Sequence, residues 1–112
     1  MPTLVLTTRG RKSGKLRRTG LIYGQDEENY LLVASNGGLP DHPLWYLNLV
    51  KTAEVEIQVG ASKFAVRART ATAKEKPRLW QVMTKIFPHY DKHQAKAAKA
   101  GRDIPVVILE LV

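Results

Sequence analysis

Two short segments in the middle of the chain alternate apolar and polar residues and are joined by a turn of small residues. Residues 55–59 and 64–68 each place an apolar side chain at every second position, and the turn between them is Gly60-Ala61-Ser62. A period of two is the pattern of a half-buried β-strand, and a short glycine-containing turn makes two such strands antiparallel neighbours. The sequence therefore predicts a β-hairpin, which commits the fold to an antiparallel sheet.

Further strands are predicted near the amino terminus. Residues 2–8, 16–25 and 30–35 are rich in apolar and β-branched side chains, which favour strands. Polar or glycine-containing turns separate them at residues 9–15 and 26–29. Two hairpins at the start of the chain strengthen the prediction of a mainly antiparallel sheet.

A short helix is predicted after the glycine pair at residues 37–38. Asp41 suits the N-cap of this helix, and Pro43 suits its first turn, where a missing N–H costs nothing. Leu44 and Leu47 then begin a short apolar stripe.

The last third of the chain predicts two more helices and a final strand. From Lys74 the apolar side chains recur at helical spacing, and Pro88 ends that helix because proline disfavours the α conformation in the residue before it. Residues 90–100 predict an exposed helix, and residues 104–112 predict a strand. About six mainly antiparallel strands with two or three short helices predict an α+β fold with a barrel-like sheet, as a single domain over residues 1–112.

The basic residues are concentrated in one segment. The formal net charge is +8, so we expect an anionic partner: nucleic acid, a membrane surface or a phosphorylated small molecule. No acidic residue precedes Asp26, whereas the later basic residues are interspersed with acids. The concentrated cations are Arg9, Arg11, Lys12, Lys15, Arg17 and Arg18.

These cations lie in a glycine-containing turn that suits a phosphate. Gly10 and Gly14 allow successive backbone N–H groups to point into one concavity, and the neighbouring cations add charge-assisted hydrogen bonds. The turn is not a Walker A loop, because Leu16 stands where a Ser or Thr belongs, and the chain has no GxGxxG motif. A solvated basic hairpin is the alternative interpretation.

Residues 34–38 and 43–48 form a second candidate surface. Glycines at a strand end allow a planar ring to approach the backbone, and Ser35 with nearby backbone amides can bond its heteroatoms. Trp45 offers broad amphipathic surface, and Asn48 lies three residues further on, at about the same helical face. A core tryptophan beside an ordinary turn explains the same residues.

Tyr90 is the third candidate. It follows a predicted helix break, where a phenol can face a cleft as a hydrogen-bond donor or proton source, although a packing role is the alternative. His89 and His93 have the spacing of a metal-binding pair. No HExxH pattern or third ligand accompanies them, so we expect no metal site.

The cysteine content and the length of the apolar runs indicate in which cellular compartment the protein is expected. The chain has no cysteine, which excludes a disulfide framework and a thiolate metal site. No apolar run approaches the roughly 18 residues that a membrane-spanning helix needs, and the start of the chain lacks the pattern of a signal peptide. We therefore expect a cytoplasmic protein.

The chain carries four characteristic segments in order, at residues 7–14, 34–38, 43–49 and 102–106. Together they resemble the deazaflavin-dependent nitroreductase family of actinobacteria, a branch of the split β-barrel flavin and deazaflavin oxidoreductases. The resemblance implies an FMN-binding-like split β-barrel and a reductase that uses coenzyme F-420, an 8-hydroxy-5-deazaflavin.

The resemblance also implies roles for particular residues. The basic loop and the following strand would hold the phosphate and acidic tail of F-420, and the two later segments would line its ring. The implied cofactor-binding residues are Arg11, Lys12, Ser13, Arg17, Ala34, Ser35, Asn36, Leu44, Trp45, Tyr46 and Asn48. Tyr90 would lie over the ring as the catalytic residue.

The sequence departs from nitro-drug-activating members in the implied substrate pocket. Ile22, Phe87 and His93 stand at positions of tyrosines, and Gly20 stands where those members have proline. The resemblance therefore implies hydride transfer from reduced F-420 to a quinone, an enone or a nitro compound, with nitroimidazole reduction in doubt. It implies no stable membrane insertion, only peripheral contact at most.

Several alternatives stay open. The same fold can hold FMN, the less favoured cofactor, or haem, and a non-catalytic protein could bind F-420 without reducing an acceptor. A nucleic-acid-binding barrel would need exposed aromatics in its basic stripe, yet only Tyr23 and Tyr30 lie near the cations. We expect no nucleic-acid partner and leave a homodimer open.

Overall fold

Seven strands form one antiparallel sheet in the computed structural model, which describes residues 1–112. They are β1 (Thr3–Arg9), β2 (Leu16–Ile22), β3 (Gly24–Asp26), β4 (Asn29–Val33), β5 (Glu54–Val59), β6 (Ser62–Thr70) and β7 (Val106–Leu111). Their order across the sheet is β2-β1-β5-β6-β7-β4-β3. The predicted central hairpin is β5–β6, with Val55 opposite Val66.

The two edge strands of this sheet are consecutive in sequence. Tyr23 alone separates β2 from β3, although these strands lie at opposite edges. Because neighbouring Cα atoms are only about 3.8 Å apart, the two edges must meet at Tyr23, and the sheet curls into a barrel. Away from Tyr23 no ladder joins β2 to β4, so the barrel is split there. We call the opening between the unpaired edge of β2 and residues 33–37 the seam.

Three helices complete the fold: α1 (Leu44–Lys51), α2 (Lys76–Ile86) and α3 (His89–Ala98). A 3-10 turn covers Asn36–Gly38. As predicted, α2 ends before Pro88, and the backbone at Phe87 leaves the helical conformation with a φ of −139°. None of the helices combines the length and the apolar character required to cross a membrane.

Two clusters of apolar side chains lie on the two faces of β4 and β7. The interior of the barrel contains Leu4, Leu6, Leu32, Ala34, Trp45, Leu49, Val55, Ile57, Val66, Ala68, Val107 and Leu109. The layer beneath α2 and α3 contains Leu31, Val33, Leu79, Met83, Tyr90, Ala97, Ile104, Val106 and Ile108. Burial on both faces explains why β4 and β7 are continuous apolar runs without alternation.

Some predicted boundaries need correction. The strand predicted over residues 16–25 is broken at Tyr23, which gives seven strands instead of about six. The Asp41 N-cap is wrong: Pro43 holds the N-cap position, with an extended ψ of 150° and no side-chain cap. Proline at 43 disfavours helix at His42, so α1 cannot begin earlier. The third helix is exposed only in part, because Tyr90 is buried against the sheet.

Candidate functional site

Two neighbouring clefts lie along β2, one between the basic turn, β2 and α1 and the other in the seam. The first, which we call the cationic cleft, has a volume of about 550 Å³ and is lined by Thr8, Gly10, Arg11, Lys12, Ser13, Arg17, Arg18, Thr19, Leu44, Trp45 and Asn48. The second, the ring cleft, has a volume of about 450 Å³ and is lined by Thr19, Gly20, Leu21, Ile22, Val33, Ser35, Asn36, Gly37, Pro43, Trp45, Phe87 and Tyr90. Thr19 and Trp45 line both, so the two clefts are adjacent, and we refer to them together as the groove.

Short-range backbone contacts shape the turn that carries the cations. The Gly10 N–H donates to the carbonyl of Lys15 at 2.7 Å, and the Gly14 N–H donates to the carbonyl of Gly10 at 2.8 Å. Gly14 has a φ of +74°, which favours glycine. At Gly10 a Cβ would lie 2.8 Å from Ser13 Oγ, so a side chain would crowd the turn.

Helix α1 fixes the same turn from the other side. The Arg11 N–H donates to Asn48 Oδ1 at 3.1 Å, and Lys51 Nζ donates to the Arg11 carbonyl at 2.8 Å. Asn48 is buried, and its Nδ2 donates to Thr8 Oγ1 at 3.2 Å. Asn48 thus lines the cationic cleft as predicted, but its amide is engaged with the protein at both ends. Its contacts make it a positioning residue for the basic turn.

Arg102 holds the turn on the opposite wall of the ring cleft. Its guanidinium donates to the carbonyls of Leu39 at 2.9 Å and Ala34 at 3.1 Å, and also to the carbonyl of Ser35. Burial lowers the pKa of Arg102 from its ordinary value, although three carbonyls solvate the charge. No role was predicted for this residue, although it begins the characteristic segment 102–106. A lone arginine directly after Gly101, at the start of an apolar segment, is the signal that could have identified it.

His42 completes the contacts of this guanidinium. His42 Nδ1 lies 3.1 Å from Arg102 Nη1. Burial, and then the positive charge of Arg102, lower the pKa of His42. A neutral His42 can accept a hydrogen bond from Arg102, whereas a protonated ring would place two cations in contact. The neutral form therefore suits the observed geometry.

The adjacent glycines Gly37 and Gly38 are required for different structural reasons. Gly37 has a φ of +63°, lines the ring cleft and has no atom within 4 Å of a built Cβ. Gly38 is buried against α3, where a Cβ would lie 2.6 Å from the carbonyl oxygen of His93. Of the pair, only Gly37 leaves backbone accessible from the cleft.

Tyr90 lies in the wall of the ring cleft. The residue is only 5% exposed, and its ring packs edge-on against Phe87 at 4.9 Å between centroids. Burial raises the pKa of the Tyr90 phenol to about 12. The hydroxyl therefore stays protonated at neutral pH and is suited to donate a hydrogen bond.

Most of the predicted site residues meet in the groove. The cationic cleft contains Arg11, Lys12, Ser13, Arg17, Leu44, Trp45 and Asn48. The ring cleft contains Ile22, Ser35, Asn36, Trp45, Phe87 and Tyr90. Thr8, Arg18, Gly20, Gly37 and Pro43 were noted in the sequence but not named as binding residues, and all five line the groove. Thr19, Leu21 and Val33 were not predicted. Thr19 and Leu21 lie on β2, whose open edge gives no local signal in the sequence.

Three predicted residues lie outside both clefts. Ala34 is fully buried in the barrel interior. The Tyr46 hydroxyl pairs with Thr70 Oγ1 at 2.8 Å, because consecutive helix residues point about 100° apart and only Trp45 of the pair faces the groove. His93 lies behind Phe87, at 6.0 Å between ring centroids, with its Nδ1 buried and unpaired. Nowhere do three His, Asp or Glu side chains form a cluster that could hold a metal ion.

Comparison with known families gives the groove a chemical context. A family model described as F420H(2)-dependent quinone reductase matches residues 1–111. The chain belongs to this family. Membership confirms the prediction of an oxidoreductase that uses coenzyme F-420. The cations of the cationic cleft suit an anionic group, and Trp45, which lines both clefts, suits a planar ring.

Curated members of the F420H(2)-dependent quinone reductase family include two from Mycobacterium tuberculosis. The reductase Rv1261c is 40% identical over 111 residues, which is 96% of this chain and 72% of the relative. The protein Rv3178, named as a putative F420H(2)-dependent quinone reductase, is 38% identical over 109 residues, which is 97% of this chain and 89% of the relative.

Solved structures support the same family and fold. An F420-H2 dependent reductase, FDR-A, has a TM-score of 0.86 and 35% identity, covering 97% of this chain and 94% of that one. A structure described as a domain-swapped dimer also gives a TM-score of 0.86 at 35% identity, covering 97% and 80% of the two chains. An FAD-binding protein of Mesorhizobium loti, 12% identical with a TM-score of 0.67 over 99% of this chain and 79% of that one, shares the fold alone. The predicted split-barrel class is confirmed.

Proposed function

We propose that the chain binds reduced F-420 along the seam and directs its hydride to a quinone. The acidic tail would lie in the cationic cleft, the ring beside Thr19 and Trp45, and the quinone in the ring cleft. The observation that carries this proposal is that the two clefts share Thr19 and Trp45, so one elongated ligand can touch both. The quinone is the acceptor class in the family's description.

Strand β2 supports this order of ligand parts along the seam. Arg17 lines the cationic cleft, Thr19 lines both clefts, and Gly20 and Ile22 line the ring cleft. At about 3.3 Å per residue, the strand runs about 17 Å from Arg17 to Ile22. This length can accommodate the ring and the start of the tail, while hydride transfer requires the acceptor to lie against the ring, with the reacting atoms about 3–3.5 Å apart.

Different residues of the groove would then bind the tail, the ring and the acceptor. Arg11, Lys12 and Arg17 would bind the anionic tail through charge-assisted hydrogen bonds. Trp45 would pack against the ring and orient it toward the ring cleft. Tyr90 would donate a hydrogen bond to the acceptor, while solvent supplies the proton that completes its reduction. When bound, F-420 supplies the hydride, which carries both electrons.

Titration of the purified chain with F-420 tests the proposal directly. We expect saturable quenching of the cofactor's fluorescence, followed by oxidation of reduced F-420 when menadione is added to the complex. FMN and haem serve as competitors, and neither should displace F-420 at equal concentration. Binding without turnover of any quinone would contradict a reductase and leave a cofactor-binding protein.

Replacement of Tyr90 by phenylalanine tests its proposed contact with the acceptor. The loss of one hydrogen bond to a group that gains charge should lower kcat about tenfold, while the Kd for F-420 stays unchanged. Stopped-flow oxidation of reduced F-420 by menadione measures the rate, and fluorescence titration measures the affinity. Because the pKa of Tyr90 is about 12, its ionisation should leave no step in the wild-type profile between pH 6 and 9.

Tyr46→Phe is the matched control for that variant. It removes a hydroxyl from a tyrosine outside both clefts, whose partner is Thr70. The rate of this control should stay close to that of the wild type. If Tyr90→Phe turns over menadione as fast as the control, Tyr90 takes no part in the reaction.

We further propose a homodimer and a cytoplasmic location. The dimer is supported by the solved relative described as domain-swapped, and light scattering should give twice the 12.6 kDa mass of the chain. The location is supported by the absence of cysteine, which fits a reducing compartment. Residues 1–112 would act as one split-barrel domain.

A further inference from the structure

The unpaired edge of β2 presents its hydrogen-bonding groups to the seam in a fixed register. Within the β1–β2 ladder, the Tyr23 N–H donates to the Pro2 carbonyl at 3.1 Å and the Gly10 N–H to the Lys15 carbonyl at 2.7 Å. In an antiparallel ladder, hydrogen-bonded pairs alternate with non-hydrogen-bonded pairs. Both bonds therefore assign Arg17, Thr19 and Leu21 to pairs bonded to β1. The N–H and C=O groups of Arg18, Gly20 and Ile22 consequently point away from β1, toward the seam.

Gly20 is the one glycine of this chain without a structural reason to be glycine. Gly14, Gly37, Gly38, Gly60 and Gly101 have positive φ, and at Gly10 and Gly24 a Cβ would lie within 3.0 Å of another side chain. Gly20 has neither a positive φ nor any atom within 4 Å of a built Cβ. A glycine inside a strand weakens it and often marks a place where a ligand approaches the backbone closely.

The position of Gly20 along the seam indicates which ligand approaches. Gly20 lines the ring cleft and does not line the cationic cleft, so it lies beyond Thr19 on the side away from the cations. Phe87 and Tyr90 line the same cleft. These residues surround the part of the groove that the proposed function gives to the acceptor.

We propose that the Gly20 N–H donates a hydrogen bond to a carbonyl oxygen of the quinone acceptor, an inference that rests on the proposed function. The quinone gains two electrons and one proton as the hydride arrives, while the cofactor leaves oxidised. Negative charge then develops on the quinone oxygen until solvent supplies the second proton. A fixed backbone donor stabilises that charge without reorganisation. Glycine keeps the approach to this donor open.

Gly20→Pro tests the donor itself, because proline removes the N–H and is tolerated at an unpaired strand edge. We expect kcat/KM for menadione to fall about 100-fold, the loss typical of one donor to a developing oxyanion. The Kd of menadione for the cofactor-free chain should rise, as measured by tryptophan fluorescence quenching. In the wild type, menadione should shift the Gly20 amide proton resonance. The Kd for F-420 should remain that of the wild type.

Two control variants separate the missing N–H from the presence of a substitution. Gly20→Ala retains the N–H and adds one methyl group where no protein atom lies within 4 Å, so its loss of kcat/KM should be much smaller than that of Gly20→Pro. Leu16→Pro places proline at another outward-facing N–H of β2, outside both clefts, and should leave menadione binding unchanged.

The outcomes distinguish this inference from the function on which it rests. Unchanged menadione affinity and turnover in Gly20→Pro would overturn it, and so would a selective loss of F-420 affinity, since the bond would then serve the cofactor. An equal loss in Gly20→Ala would show that space, not the N–H, matters. A wild-type chain that neither binds F-420 nor reduces menadione would overturn the proposed function itself.

Discussion

Replacing Arg102 with leucine is expected to destabilise the chain by about 3 kcal/mol and to lower its melting temperature by roughly 10–20 °C. Leucine fills part of the volume but leaves the carbonyls of Ala34 and Leu39 without a donor, while the Ser35 carbonyl keeps only the Gly38 N–H at 2.9 Å. Each buried acceptor without a partner costs about 1–3 kcal/mol. Thermal unfolding followed by circular dichroism measures the change.

The same substitution should also weaken F-420 binding, because Arg102 fixes the wall that carries Ser35 and Gly37. Arg78→Leu is the matched control. Arg78 pairs with Asp26 at 2.8 Å but is 65% exposed, and exposed pairs contribute at most about 1 kcal/mol. If the two arginine variants melt at the same temperature, the buried contacts of Arg102 contribute no more to stability than the exposed ion pair of Arg78.

The role of Arg102 marks a general limit of prediction from this sequence. Local patterns predicted local structure: the alternation in residues 55–68 predicted β5 and β6, and Pro88 predicted the end of α2. Arg102 contacts carbonyls more than 60 positions away, and no local period reports such a contact. Contacts of this kind follow from topology, which only the folded chain supplies.

The same distinction between local patterns and topology applies to the site residues. Arg11, Lys12 and Arg17 could be predicted because turn chemistry and charge are local properties. The contribution of the edge of β2 could not, because the split between β2 and β4 exists only after Tyr23 has joined the two edges of the sheet. Tyr46 lies outside both clefts for a related reason, since two adjacent aromatic residues on a helix cannot both face one groove.

The basic turn depends on contacts that offset its own repulsion. Its cations lie within a short hairpin, and like charges held this close repel one another. Asn48 and Lys51 of α1 bind the backbone of Arg11, so the turn keeps its shape without a counter-charge of its own. The result is a preorganised surface that no protein carboxylate neutralises and that is suited to an anionic ligand.

Reversing two of these charges should therefore have a large effect on cofactor affinity. In the double variant Lys12→Glu and Arg17→Glu, attraction becomes repulsion at two positions of the cationic cleft. Each reversal is worth on the order of 2 kcal/mol for charges a few ångströms apart near a solvated surface. We expect the Kd for F-420 to rise at least about 100-fold at low salt, as measured by fluorescence titration.

A second double variant separates the position of the charges from their sum. Lys63→Glu with Lys85→Glu lowers the net charge by the same amount at exposed positions outside both clefts. Its Kd should change only a few-fold, and that change should vanish in salt because the Debye length falls to about 3 Å at 1 M. The difference in Kd between the wild type and the Lys12→Glu, Arg17→Glu variant should also become smaller as salt is added. Part of that difference should remain, because the variant has also lost hydrogen bonds to the tail. If both double variants weaken binding equally at every salt concentration, the cofactor responds to overall charge, and the cationic cleft does not hold its tail.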